Sequence, residues 1–157
     1  MIKVLFICHG NICRSPMAEF VFQDIVKEQG LSAHFKIASA ATSSEELGNP
    51  VHHGTRRKLA EQGISCEGKR AVRLQSSDYA DYDYLIAMDD YNLSNMHHML
   101  GTDPLHKMYL LLDFSQHPRA IADPWYTGDF DQTYADILEG CNGLLAYLKQ
   151  KFPELQS

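Results

Sequence analysis

Apolar residues fall along this chain in two rhythms. Val4-Leu5-Phe6-Ile7, within Lys3 to Cys8, runs without polar interruption, the pattern of a short strand covered on both faces. Ser15-Pro16 then reads as a helix start, with Ser15 as the cap and Pro16 at the first helical position, where a missing N–H costs nothing. Phe20, Phe22, Ile25 and Val26 carry that helix to a stop at Gly30. A second strand is expected from Phe35 to Ala40, a polar loop from Ala41 to Pro50, and a helix from Thr55 to Gln62 ending at Gly63. Tyr84 to Met88 predicts a third strand, Asn92 to Leu100 a helix and Met108 to Leu112 a fourth strand. Tyr134, Ile137, Leu138, Leu144, Leu145 and Leu148 recur at helical spacing and predict one long terminal helix packed on the sheet.

Strand and helix alternate throughout, so the expected fold class is α/β: a four-stranded parallel sheet with right-handed crossovers and helices on both faces. No linker or repeat interrupts the pattern, and residues 1–157 are expected to form a single domain. In such folds ligands sit beyond the carboxyl ends of the strands, where strand order reverses. The first strand ends at Cys8.

Composition narrows the picture. With 45% hydrophobic and 22% charged residues among 157, the chain suits an ordinary folded globule. Its 14 Lys and Arg against 20 Asp and Glu leave a formal charge of -6, no general reason to hold a nucleic acid, so any phosphate must be gripped locally. The first apolar run is far short of the ~20 residues a membrane span needs. It also lacks the flanks of a secretory leader, so no membrane association and a cytoplasmic location are expected. Cys8, Cys13, Cys66 and Cys141 are then expected to be reduced thiols. His52-His53 and His97-His98 are adjacent pairs whose side chains are expected to diverge into solvent, and no zinc-like spacing appears, so no metal and no cofactor are expected. Tyr79, Tyr82 and Tyr84 sit by a charged turn and are expected at the surface or half-buried, and the protein is expected to be a monomer or weak oligomer.

The chemistry concentrates in Cys8-His9-Gly10-Asn11-Ile12-Cys13-Arg14-Ser15, which joins a buried strand to a helix N-terminus. Its backbone N–H groups can converge beside the positive end of a helix dipole, which makes an anion site. Gly10 and Asn11 are the types that take left-handed backbone angles cheaply. Arg14 adds a planar fork for two phosphate oxygens. The same positive environment favours negative charge on the Cys8 sulfur, and a thiolate aimed at phosphorus is a nucleophile. Ser15 can donate its hydroxyl to that sulfur. Alone, Cys8 reads equally as a small buried hydrophobe and Arg14 as a surface charge; their placement between strand and helix favours the site.

With Pro16, this loop resembles the phosphate-binding loop of low-molecular-weight protein tyrosine phosphatases. The resemblance extends to Ser39 after the second strand, Met88-Asp89 closing the third, and Asp123-Pro124-Trp125-Tyr126 on a late loop. It implies phosphotyrosine-containing proteins or small aryl phosphates as substrates, with a phosphocysteine intermediate. It also implies Cys8 as nucleophile, Arg14 as clamp, Asn11 and Ser39 as loop braces, Ser15 as thiolate partner and Asp123 as proton donor. Cys13 would shield Cys8 from over-oxidation through a reversible disulfide. The loop Ser43-Ser44-Glu45-Glu46-Leu47 departs from members that carry a bulky aromatic near Glu45, which suggests a more open, acidic rim.

Asp123 also stands on its own merits. Pro124 pushes it toward an extended conformation, and Trp125 and Tyr126 offer flat apolar surface to an aryl leaving group. Three rival activities share parts of this pattern. An arsenate reductase of this fold needs a cysteine pair near mid-chain, where only Cys66 lies. A protein arginine phosphatase carries a small Thr where Ile12 stands. A phosphocysteine carrier needs neither Arg14 nor Asp123.

Overall fold

The computed structural model describes residues 1–156. Four strands, β1 (Ile2–Cys8), β2 (Phe35–Ala41), β3 (Tyr84–Ala87) and β4 (Met108–Leu110), form one sheet in the order β2-β1-β3-β4, every pairing parallel. Register places Cys8 opposite Ala41, Ile7 opposite Ala87, and Ala87 opposite Leu110. All four carboxyl ends therefore share one edge. The chain leaves central β1 for β2 on one side and returns to β3 on the other, so the order reverses beside Cys8.

Alternation along β1 explains both cores. Val4, Phe6 and Cys8 face α1 (Arg14–Glu28) and α6 (Phe130–Lys151), whereas Leu5 and Ile7 join Leu85, Ala87 and Met96 on the face covered by α4 (Asp90–Leu100). The remaining helices, α2 (His53–Glu61), α3 (Asp78–Asp81) and α5 (Pro124–Thr127), are short. No helix among the described residues is long and apolar enough to cross a membrane.

Several boundaries differ from the sequence reading. Helix α1 starts at Arg14, its N-cap is Cys13 without a side-chain cap bond, and Pro16 is its third residue. Ser15 does not cap because its hydroxyl is bonded to Cys8 and Asn11 instead. The fourth strand stops at Leu110 and the chain coils into a 3-10 turn, Leu111–Phe114, that presses against α6. Gly143 permits this approach, since a Cβ there would lie 2.2 Å from the Phe114 carbonyl oxygen. Helix α2 begins at His53 rather than Thr55, with the His52 side chain accepting from the Gly54 N–H. Tyr82 and Tyr84 are buried, at 8% and 4% exposure, and only Tyr79 is half-exposed. Tyr84 lies among Tyr109 and Tyr147, rings that the local charge pattern could not reveal.

Candidate active site

The loop leaving β1 folds back over its own first residue. Asn11 takes the left-handed conformation at φ 59°, which lets its backbone N–H turn inward to the Cys8 sulfur at 3.3 Å. Gly10, expected to share that conformation, does not. A Cβ there would stand 3.3 Å from the Glu46 side chain, a tight contact that Glu46 would have to shift slightly to relieve.

Behind the sulfur lies a hydrogen-bond chain whose direction is forced. Asn11 Oδ1 accepts from the Val72 N–H at 3.0 Å, so its Nδ2 donates to Ser15 Oγ at 2.8 Å and to Ser39 Oγ at 2.9 Å. Ser39 sends its own proton to Glu19 Oε1 at 2.5 Å. Ser15, already an acceptor, has its hydrogen left for Cys8 Sγ at 3.0 Å. The thiol sulfur thus faces two donors, the Ser15 hydroxyl and the Asn11 N–H. Lys69 Nζ supports the far end, 3.0 Å from the Ser39 carbonyl and 3.4 Å from Glu19.

Arg14 is buried at 2% exposure and held by two carboxylates and a carbonyl. Its Nη1 donates to Asp89 Oδ2 at 2.6 Å and to the Ile121 carbonyl at 2.8 Å, while Nη2 lies 3.4 Å from Asp123 Oδ2. Burial opposes its charge, but the Cys8 sulfur and Asp89 outweigh it, and the guanidinium holds its proton more tightly than usual. Asp89 is fully engaged, its Oδ1 accepting from the Asn92 N–H at the start of α4. Asp123 accepts from the Trp125 N–H through Oδ1 at 3.0 Å, which leaves Oδ2 toward the cleft. Cys13 is a different thiol from Cys8. Burial, then the neighbouring Cys8 and Asp123, push it up to about 12.

These residues open into a cleft of about 500 Å³ lined by Cys8, His9, Ile12, Arg14, Asp123 and Trp125, with Tyr126, Glu45 and Glu46 at its rim. Trp125 and Tyr126 are exposed, at 56% and 83%. His9 Nε2 pairs with Glu45 at 2.9 Å across the mouth.

A profile of the family described as low molecular weight phosphotyrosine protein phosphatase matches residues 3–154. The chain is 40% identical over 153 residues, 96% of its own length and 98% of the other's, to the low molecular weight protein-tyrosine-phosphatase YfkJ of Bacillus subtilis. This chain belongs to the low molecular weight protein-tyrosine-phosphatase family. The crystal structure of YfkJ superposes with a TM-score of 0.94 over 97% of each chain. That of the Streptococcus pyogenes family member SP-PTP, 40% identical, gives 0.85 over 94% of this chain and 93% of that one. A Drosophila arginine phosphatase, 31% identical, gives 0.87 over 94% and 98%.

In this phosphatase fold the sequence-predicted residues of the loop, Cys8 to Ser15, gather with Ser39, Asp123, Trp125 and Tyr126 around one cleft. Cys66 and Cys141 do not join them. Both are buried, which raises both thiols, and Cys141 lies against the Ala18 carbonyl. Two residues tied to the loop through Ser39 escaped the sequence reading: Glu19 and Lys69. Glu19 stands one helical turn after Ser15, a carboxylate on the buried face of α1, and that spacing was the available signal. Nothing local marked Lys69, which arrives from a distant loop. His52 and His53 do not diverge; their rings stack with centroids 4.2 Å apart, because Phe130 lies beneath His52.

Proposed function

We propose that this chain, acting as one catalytic domain over residues 1–157, hydrolyses phosphotyrosine in proteins and small aryl phosphates through a phosphocysteine on Cys8. The observation that carries this reading is the Cys8 sulfur, faced by the Ser15 hydroxyl and the Asn11 N–H at the floor of a cleft that Arg14 and Asp123 share. Loop amides and Arg14 bind the phosphoryl oxygens. The thiolate forms an S–P bond as the P–O bond to the phenol breaks, and Asp123 gives its proton to the departing oxygen. The carboxylate then takes a proton from water as that water displaces sulfur, releasing phosphate and restoring both groups. His9, Gly10, Ile12 and Cys13 shape the loop, Asn11 and Ser39 brace it, Ser15 partners the Cys8 sulfur, and Trp125 and Tyr126 meet the aryl ring. No step calls on a metal or cofactor. A cytoplasmic, monomeric or weakly associating enzyme fits this reading.

The likeness to an arginine phosphatase structure favours one rival, hydrolysis of phosphoarginine. Ile12, 8% exposed at the cleft, opposes it by lining the approach with an apolar side chain suited to an aryl ring. An arsenate relay would find only Cys13 beside Cys8, since Cys66 and Cys141 lie outside the cleft. The deciding assay supplies phosphotyrosine peptide, phosphoarginine, or arsenate with thioredoxin, each with EDTA present. Turnover of the peptide, abolished in Cys8→Ser, is expected; faster turnover of phosphoarginine would transfer the assignment to the rival.

A further inference from the structure

His52 lies outside the cleft, yet it touches both loops that build it. Its backbone N–H donates to the Ile12 carbonyl at 2.9 Å, joining the phosphate loop to the start of α2. Its Nδ1 accepts from the Gly54 N–H at 3.0 Å, so the neutral ring carries its proton on Nε2. The ring is stacked on Phe130, centroids 5.3 Å apart and planes within 15°, with His53 on it at 4.2 Å. It meets Trp125 edge to face at 5.6 Å, the only aromatic ring so paired with Trp125 among the described residues. Phe130 in turn packs on Ile12 and Cys13, and it sits so close to α2 that a Cβ on Gly54 would fall 2.4 Å from its ring.

The acid loop is therefore gripped at two points by one imidazole. Trp125 lies two residues after Asp123 and donates its N–H to that carboxylate; Phe130 opens α6 just beyond the loop. We propose that His52 is a positioning residue, whose ring sets Trp125 against the cleft and thereby holds Asp123 over the leaving-group oxygen. The proposal rests on the phosphatase reading above and adds to it a contact that acts on leaving-group protonation and not on phosphate binding. Phosphate is held by loop amides and Arg14, none of which the His52 ring touches, whereas the aryl group must lie against Trp125 for Asp123 to reach its oxygen.

The test uses two substitutions that separate ring from cap. His52→Asn keeps a good N-cap and removes the ring; His52→Phe keeps the ring and removes the acceptor. Rates are measured on phenyl phosphate and on a dinitrophenyl ester that departs without a proton, with inhibition by inorganic phosphate and the emission of Trp125, the chain's single tryptophan. In His52→Asn the phenyl-to-dinitrophenyl rate ratio is expected to fall about tenfold. Phosphate inhibition is expected within about twofold of wild type, with Trp125 emission shifted to the red. His52→Phe is expected to keep the ratio while melting at lower temperature. A folded His52→Asn protein with unchanged ratio or emission would overturn the proposal, as would a His52→Phe protein that loses the ratio equally. An inactive wild type, or an Asp123→Asn protein without leaving-group dependence, would overturn the functional reading and this inference together; intact Asp123 behaviour without a His52 effect overturns the inference alone.

Discussion

Two carboxylates reach Arg14, and their remaining bonds assign them different work. Asp89 spends one oxygen on the guanidinium and the other on the Asn92 N–H, and it does not line the cleft. Asp123 keeps Oδ2 at the cleft with only a 3.4 Å contact to Arg14. Asp123→Asn is therefore expected to slow phosphotyrosine cleavage by ~10²–10⁴-fold while leaving phosphate inhibition nearly intact. The loss is expected to shrink for activated nitrophenyl esters; an equal loss on both, with chemistry limiting each rate, would return Asp89 to consideration. The two loop thiols divide in the same way. Cys13, pushed up to about 12 chiefly by burial, stays a thiol throughout the neutral range, so iodoacetate at pH 7 is expected to label Cys8 and spare Cys13 in peptide maps. On the proposed reading, hydrogen peroxide would oxidise the Cys8 sulfur to the sulfenic acid, and Cys13, losing its thiol proton as its sulfur attacks, would expel water and leave a Cys8–Cys13 bridge. Thiols are expected to restore the wild type after peroxide but not Cys13→Ser, and sulfinic acid alone at Cys8 of the wild type would refute that role.

At the scale of elements, what the sequence disclosed was what is local. The uninterrupted run before Cys8 and Asn11 after it announced the strand and the left-handed turn that leads into the helix, because burial on both faces and left-handed tolerance are properties of adjacent residues. The chain from Ser39 to Glu19 to Lys69, the His52 stack and the truncation of β4 are contacts between distant segments, and no periodicity encodes them. Gly143 shows the difference. In a helix it reads as a weak position, for which alanine is intrinsically better by about 1 kcal/mol. Here the Phe114 carbonyl occupies the space of its Cβ, so Gly143→Ala is expected to destabilise by about 1–3 kcal/mol, read as a lowered thermal midpoint. His52 supplies a pH-dependent counterpart. Burial, with His53 and Arg56 against a weaker pull from Glu46, holds its imidazolium below the ordinary value of 6.5. The unfolded chain then binds a proton near 6.5 that the fold refuses, so stability is full above that pH and declines as pH falls below it. His52→Asn is expected to lose less thermal midpoint than wild type between pH 7.5 and 5.5.

Taken whole, the molecule carries a formal charge of -6, and the anion site proposed for it lies at the point where three carboxyl-end segments meet. Arg14 is what joins them: it leaves the β1 loop, binds Asp89 after β3, and binds the Ile121 carbonyl ahead of the acid loop. The Ile121 N–H returns to the Met88 carbonyl at 2.9 Å, so clamp and acid loop are fastened to the same strand end. An oxyanion bound there stabilises the whole fold by mass action, since the unfolded chain has no such site. At a hundredfold excess over its dissociation constant, phosphate is expected to add about 2.7 kcal/mol. For a chain of this size that is a rise of roughly 5–10 °C in thermal midpoint. Cys8→Ser is expected to keep the rise, because it spares the amides and Arg14. Arg14→Ala is expected to abolish the rise and to lower the midpoint without phosphate, because Asp89 then faces no cation. Sodium chloride at matched ionic strength is the control: an equal rise with chloride, or a full phosphate rise in Arg14→Ala, would mean that the stabilising anion lies elsewhere on the surface and that Arg14 does not grip it.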